Sequence, residues 1–229
     1  MKKILILTFI ASFGLMSFVS QPKKLKVIFF GDSITQQGAG KNGYIPKMDS
    51  LIKEQGLSDN YELAGAGVSG NRIYDLYLRI ETDVLEKKPD VVVIYIGIND
   101  VWHKTTTGTG TEPNKYEQFY KAIIKKLQAQ NIKIILCTPT IIGEKNDLTN
   151  LQEGDLNKYS NIVRNIAKSL TLPVCDLRIA FTEYLKNNNP NNVEKGVLTV
   201  DGVHMNQTGN LLLATEMWQT IKAATTPTN

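Results

Sequence analysis

Two short motifs, far apart in the chain, carry residue types that can act together. The first is Gly31-Asp32-Ser33-Ile34-Thr35 and the second is Asp201-Gly202-Val203-His204. A serine alcohol attacks a carbonyl readily only when a held base takes its proton. An Asp and a His three positions apart on a loop let the carboxylate accept the ring Nδ1–H while Nε2 turns toward the serine. Ser33 is therefore the candidate nucleophile, His204 the candidate base and Asp201 its orienting partner. Taken singly, Ser33 also reads as a helix-capping serine and His204 as a structural histidine. Ester cleavage further needs donors for the oxyanion, each worth about 10²–10³ in rate. Asn99 in Gly97-Ile98-Asn99-Asp100 and Gly70 in Val68-Ser69-Gly70-Asn71 are the candidates. Alone, they are a turn residue and a helix-entry glycine.

These motifs must be carried to one edge of a fold. Five apolar runs, Leu25–Phe30, Tyr61–Ala64, Val91–Ile96, Ile132–Cys137 and Pro173–Leu177, read as strands. Three of them are unbroken and rich in Val and Ile, as strands of a parallel sheet covered on both faces are. Apolar residues at helical spacing predict helices over Tyr44–Gln55, Ile73–Glu86, Lys115–Gln130, Leu156–Ser169 and Asn206–Thr225. The alternation means an α/β fold built from right-handed crossovers. Ser33, Gly70 and Asn99 each follow a strand, so they fall at the carboxyl edge, where open α/β sheets bind ligands. The long loops His103–Pro113 and Thr140–Gly154 are expected at the same edge and to be functional. Lys186–Val197 reads as a flexible surface segment and Ala223–Asn229 as a frayed tail.

Residues 1–20 read as a cleaved secretory signal peptide. Lys2 and Lys3 precede the apolar run Ile4–Val19, and Ser17 and Ser20 suit a peptidase. A membrane anchor is the alternative, because the run approaches the roughly 20 residues a span needs. Cleavage would leave 21–229 as one domain, secreted or periplasmic, with no stable membrane insertion. The chain has 26 Lys and Arg against 22 Asp and Glu, and loses Lys2 and Lys3 with the leader. So nearly neutral a domain, with no long basic run, argues against a nucleic-acid partner. Cys137 and Cys175 lie in strand-like runs and are expected as buried free thiols, with a disulfide the alternative. Two histidines and two cysteines without metal-site spacing argue against structural zinc.

Together, Gly-Asp-Ser after the first strand, Gly70 after the second, Gly-x-Asn-Asp after the third and Asp-x-x-His before the last helix resemble the four blocks of the SGNH hydrolase (GDSL-type lipase/esterase) family. The stretches GVSGNRIYDL and PDVVVIYIGINDVW are similar to those of its lysophospholipase-like and carbohydrate acetylesterase members. The resemblance implies a flavodoxin-like three-layer α/β/α sandwich with five parallel strands in the order 2-1-3-4-5. It also implies an oxyanion hole made by the Ser33 N–H, the Gly70 N–H and the Asn99 side chain, and no metal or organic cofactor. One departure stands out: the second block often starts with an Asn, where this chain has Ala64-Gly65-Ala66-Gly67.

The expected substrate is an ester of a small molecule or glycan, with acetyl or another short acyl group on a carbohydrate preferred. Trp102 and His103 follow the oxyanion block, Tyr44 lies near the nucleophile turn and Asp32 precedes Ser33, so these four are candidates for touching substrate. No long apolar segment beside the motifs suggests a lipase tunnel. A lysophospholipase or short-chain thioesterase is the alternative, and a non-catalytic secreted glycan-binding module is the alternative of a different class. Oligomeric state is not legible.

Overall fold

Unbroken aliphatic runs build the middle of the molecule. In the computed structural model, which describes residues 23–226, five parallel strands form one sheet in the order β2-β1-β3-β4-β5. They are β1 (Leu25–Gly31), β2 (Tyr61–Gly67), β3 (Val91–Tyr95), β4 (Lys133–Cys137) and β5 (Val174–Cys175). Every residue of β3 is buried, as a central strand covered on both faces must be. β1 lies between β2 and β3, so Gly31 pairs with Gly67 on one side and Tyr95 on the other. The carboxyl ends of three strands thereby meet at one point.

Among the described residues, eight α-helices flank the sheet: α1 (Ser33–Gly38), α2 (Tyr44–Glu54), α3 (Ile73–Asp83), α4 (Ile98–Thr106), α5 (Pro113–Gln128), α6 (Glu153–Leu170), α7 (Leu177–Asn188) and α8 (Gln207–Thr225). Helices α2, α7 and α8 pack together, as do α3, α5 and α6, each set presenting one apolar stripe to the sheet. In α5 that stripe is Tyr116, Tyr120, Ile123, Ile124 and Leu127. The fold is the expected sandwich in the expected strand order.

Several local expectations are corrected. His103–Thr106 is the end of α4, not loop, so the first long loop shrinks to 107–112. Helices α1, α4 and α7 are present although apolar periodicity did not predict them. Lys186–Asn188 completes α7, and the segment after it is pinned: Asn189 is buried, and its amide donates to the Glu144 and Val193 carbonyls at 2.8 Å each. The helix α8 continues through Thr225, whose hydroxyl donates to the Ile221 carbonyl. The expected signal peptide, 1–20, lies outside the described residues. Among those described, no helix is long and apolar enough to cross a membrane. Cys137 and Cys175 face each other across β4 and β5 as buried free thiols.

Candidate active site

Ser33 opens α1 immediately beyond β1. Asp32 caps that helix, accepting the Ile34 N–H at 2.9 Å. A helix start leaves its first N–H groups without intrahelical acceptors, so the Ser33 N–H is available to an anion. Gly31 matters here for proximity: it is not in a left-handed turn, but a Cβ on it would stand 2.4 Å from the Tyr95 carbonyl oxygen and from Thr35 Oγ1. The small residue lets β1 and α1 close on β3.

The two chemical motifs meet. His204 Nε2 lies 3.0 Å from Ser33 Oγ, and His204 Nδ1 lies 2.7 Å from Asp201 Oδ2. The second oxygen of Asp201 accepts the backbone N–H groups of Val203 at 3.0 Å and His204 at 2.7 Å. Partial burial works to raise the Asp201 carboxyl, but the His204 ring and the two N–H groups outweigh it and hold Asp201 below the usual carboxylate range. An acceptor anchored by two backbone bonds thus fixes the ring, and the ring faces an alcohol. This arrangement can take a proton from Ser33 as the oxygen attacks a carbonyl.

Gly70 follows β2 and Asn99 follows β3, at the edge of the sheet where Ser33 follows β1. Gly70 has φ +76°, with open space where a Cβ would stand. Asn99 lies in the first turn of α4 and is almost fully buried. Its Nδ2 donates to the Asn71 carbonyl at 3.0 Å, which sets the amide's direction, and its second N–H has no partner among the described residues.

Three residues that the motifs did not single out hold this geometry. Arg79 on α3 donates to the Gly31 carbonyl at 2.7 Å, to the Ala66 carbonyl at 3.1 Å and to Asn71 Oδ1 at 2.6 Å. One guanidinium therefore ties the ends of β1 and β2 to the loop that carries Gly70. Gln36 Oε1 accepts the Ser69 N–H at 2.8 Å. Arg79 and Gln36 thus fasten the loop that follows Ala64-Gly65-Ala66-Gly67. Glu144 grips the segment that leads to Asp201.

The Asp-x-x-His spacing also occurs at Asp100 and His103, where it builds no pair. Both Asp100 oxygens accept the Ile73 N–H, at 3.1 and 3.2 Å, at the start of α3. Burial pushes the Asp100 carboxyl up to about 7. His103 sits near Arg72 and Asp75, and burial, with Arg72, pulls its ring below the usual histidine range.

Of the four candidates for touching substrate, two are reassigned. Tyr44 is fully buried, donates to Thr35 Oγ1 at 3.1 Å and packs edge-on against Phe29, so it belongs to the core. Asp32 is buried and turned into the α1 cap, and burial pushes its carboxyl up to about 7 against the pull of the Ile34 N–H and His204. Trp102 is partly exposed and lines a cleft of about 490 Å³ that borders Asp201, together with Lys145, Asn150, Gln152 and Glu194. His103 is partly exposed but does not line that cleft. Among the described residues, no three His, Cys, Asp or Glu side chains are grouped to hold a metal ion.

The model of the GDSL-like lipase/acylhydrolase family matches residues 29–212, which span all four motifs. The chain belongs to that family. It is 32% identical over 204 residues to an acetylxylan esterase of Geobacillus stearothermophilus, covering 82% of this chain and 90% of the relative. It is 56% identical to the acetyl xylan esterase AlAXEase, whose crystal structure superposes with a TM-score of 0.84 over 86% of this chain and 99% of that one. A structure of the Geobacillus enzyme Axe2, described as a catalytic mutant, gives a TM-score of 0.76 at 27% identity over 88% and 96% of the two chains. This GDSL-like acylhydrolase is a carboxylic ester hydrolase.

Proposed function

We propose that the protein is a secreted serine esterase that removes acetyl or other short acyl groups from a carbohydrate through an acyl-enzyme on Ser33. The observation that carries this is the unbroken chain from Ser33 Oγ through His204 to Asp201. His204 takes the Ser33 proton, Ser33 attacks the ester carbonyl, and the N–H groups of Ser33 and Gly70 and the Asn99 amide receive the oxyanion. His204 returns the proton to the leaving sugar oxygen, then activates the water that releases the acid. Solved variants of Axe2 described as catalytic mutants replace a serine, an aspartate and a histidine, the last two three positions apart as Asp201 and His204 are.

The acetyl-carbohydrate reading draws on relatives named acetylxylan esterases. It also draws on the cleft beside Asp201, where Trp102 stands among Lys145, Asn150, Gln152 and Glu194. An aromatic face with a few hydrogen-bonding side chains suits a sugar better than an alkyl chain. Export rests on residues 1–20 and on a Bacillus subtilis relative described as an uncharacterized lipoprotein.

The test is acyl-chain preference on p-nitrophenyl esters from acetate to palmitate, with acetate release from acetylated xylooligosaccharides measured alongside. Acetate preference with release from the glycan supports the reading. An optimum at eight carbons or longer, with an inert glycan, overturns it in favour of a lysophospholipase.

A further inference from the structure

Glu144, on the loop between β4 and α6, is a fully buried acid whose partners are almost all backbone. Its Oε2 accepts the Val197 N–H at 2.7 Å. Its Oε1 accepts the Leu198 N–H at 2.8 Å, the Thr199 N–H at 2.5 Å and the Thr199 hydroxyl at 2.6 Å. Successive N–H groups curled around one carboxylate form an anion-holding concavity. A buried carboxylate is tolerated only with its oxygens so filled.

The curled segment leads directly to the candidate catalytic pair. The Thr199 hydroxyl, besides donating to Glu144, accepts the Gly202 N–H at 2.9 Å, one residue past Asp201. From the same loop as Glu144, the Gly143 N–H donates to the Gly202 carbonyl at 2.8 Å. The Val200 N–H donates to the His204 carbonyl at 2.8 Å and closes the turn. Glu144 is itself held, its N–H donating to the Glu194 carbonyl at 2.9 Å and its carbonyl accepting from Asn189 at 2.8 Å. His204 and Ser33 lie 171 positions apart, so no local turn sets their 3.0 Å separation. That distance depends on where the 197–204 segment is fastened.

We propose that Glu144 is a positioning residue for the catalytic base: through Thr199 its carboxylate fixes the loop that places His204 against Ser33. The proposal rests on the reading of Ser33, His204 and Asp201 as the catalytic triad. A misplacement of about 1 Å in a catalytic group can cost about 10² in rate.

The test uses the full chain with Thr199→Val, Glu144→Gln, Thr199→Ser and Ser33→Ala. Thr199→Val removes the bridging hydroxyl, and with it the acceptor of the Gly202 N–H, while Glu144 keeps its carboxylate and all three N–H bonds, so it tests the Thr199 link even where Glu144→Gln does not fold. Thr199→Val and Glu144→Gln are assayed on p-nitrophenyl acetate below their measured Tm. The expected result is a kcat lowered about 10- to 100-fold with KM within about twofold, as misplacement of the base predicts. Labelling of Ser33 by an organophosphonate slows by the same factor, and Thr199→Ser restores most of the loss. Folded variants with wild-type kcat and labelling rate overturn the positioning role, as does a loss confined to KM. Ser33→Ala separates the two failures. If it stays active, the triad reading falls and takes this proposal with it. If it is inert while Thr199→Val matches wild type, only the role of Glu144 falls.

Discussion

Replacing Asp201 with asparagine probes the candidate triad at the joint that sets the histidine tautomer. One oxygen of Asp201 accepts two backbone N–H groups, at 3.0 and 2.7 Å, and the other accepts from His204 Nδ1 at 2.7 Å. An asparagine can keep both backbone bonds only with its carbonyl on the backbone side, which turns its NH2 toward Nδ1. The ring nitrogen must then accept, so the imidazole proton moves to Nε2 and points at Ser33 Oγ. In that tautomer His204 cannot take the serine proton. Flipping the amide instead sets its NH2 against two N–H donors and forfeits both bonds, at about 1 kcal/mol each. The kept-carbonyl orientation therefore wins, and kcat should fall about 10⁴-fold, or roughly 5 kcal/mol of barrier, with KM little changed. The assay is steady-state hydrolysis of p-nitrophenyl acetate, with Tm measured on the same sample. A folded Asp201→Asn variant within tenfold of wild-type kcat would refute the reasoning, because the tautomer would not be controlling the reaction.

Asn99→Ala removes a candidate oxyanion donor and should lower kcat about 10²–10³-fold with the fold retained; a change in KM alone would remove Asn99 from the proposed hole. Asp32 titrates near 7 when folded, mainly through burial, against 3.8 as its ordinary value. Its folded value is raised, so the stability it contributes is full below about pH 4 and lost as the pH rises through 7, up to about 4 kcal/mol in all. Asparagine still caps α1. Denaturant unfolding should therefore show Asp32→Asn gaining on wild type by up to that amount between about pH 4 and 8, and a gap independent of pH would contradict the burial argument. Trp102→Ala should lower kcat/KM on acetylated xylooligosaccharides about tenfold more than on p-nitrophenyl acetate; equal losses on both would mean that Trp102 does not meet the sugar.

The sheet was legible because central parallel strands must be apolar on both faces, and Val91–Tyr95 and most of Lys133–Cys137 are. The placement of Ser33, Gly70 and Asn99 at one edge of the sheet was legible because each follows a strand of a parallel sheet. Spacing alone was weaker than it looked. Asp100 and His103 have the same separation as Asp201 and His204, yet only the second pair is assembled, because Asp100 caps the start of α3 instead. Closeness along the chain put Tyr44 beside Ser33, whereas α2 turns its ring into the core against Phe29. Glu144 left no local signal, since the N–H groups it holds lie 53–55 positions away, and neither did the bond that ties Arg79 to Gly31, 48 positions away. The helix α7 was hidden by its narrow stripe, with Leu177, Phe181 and Leu185 spaced by four and an Asn-rich end.

The most direct measurement is covalent labelling of residues 21–229 with an organophosphonate, followed by peptide mapping, with His204→Ala alongside. A serine activated by His204 predicts one adduct, on Ser33, formed in step with loss of esterase activity and strongly slowed in the variant. An adduct on another residue, or labelling of Ser33 at an undiminished rate without His204, would contradict it.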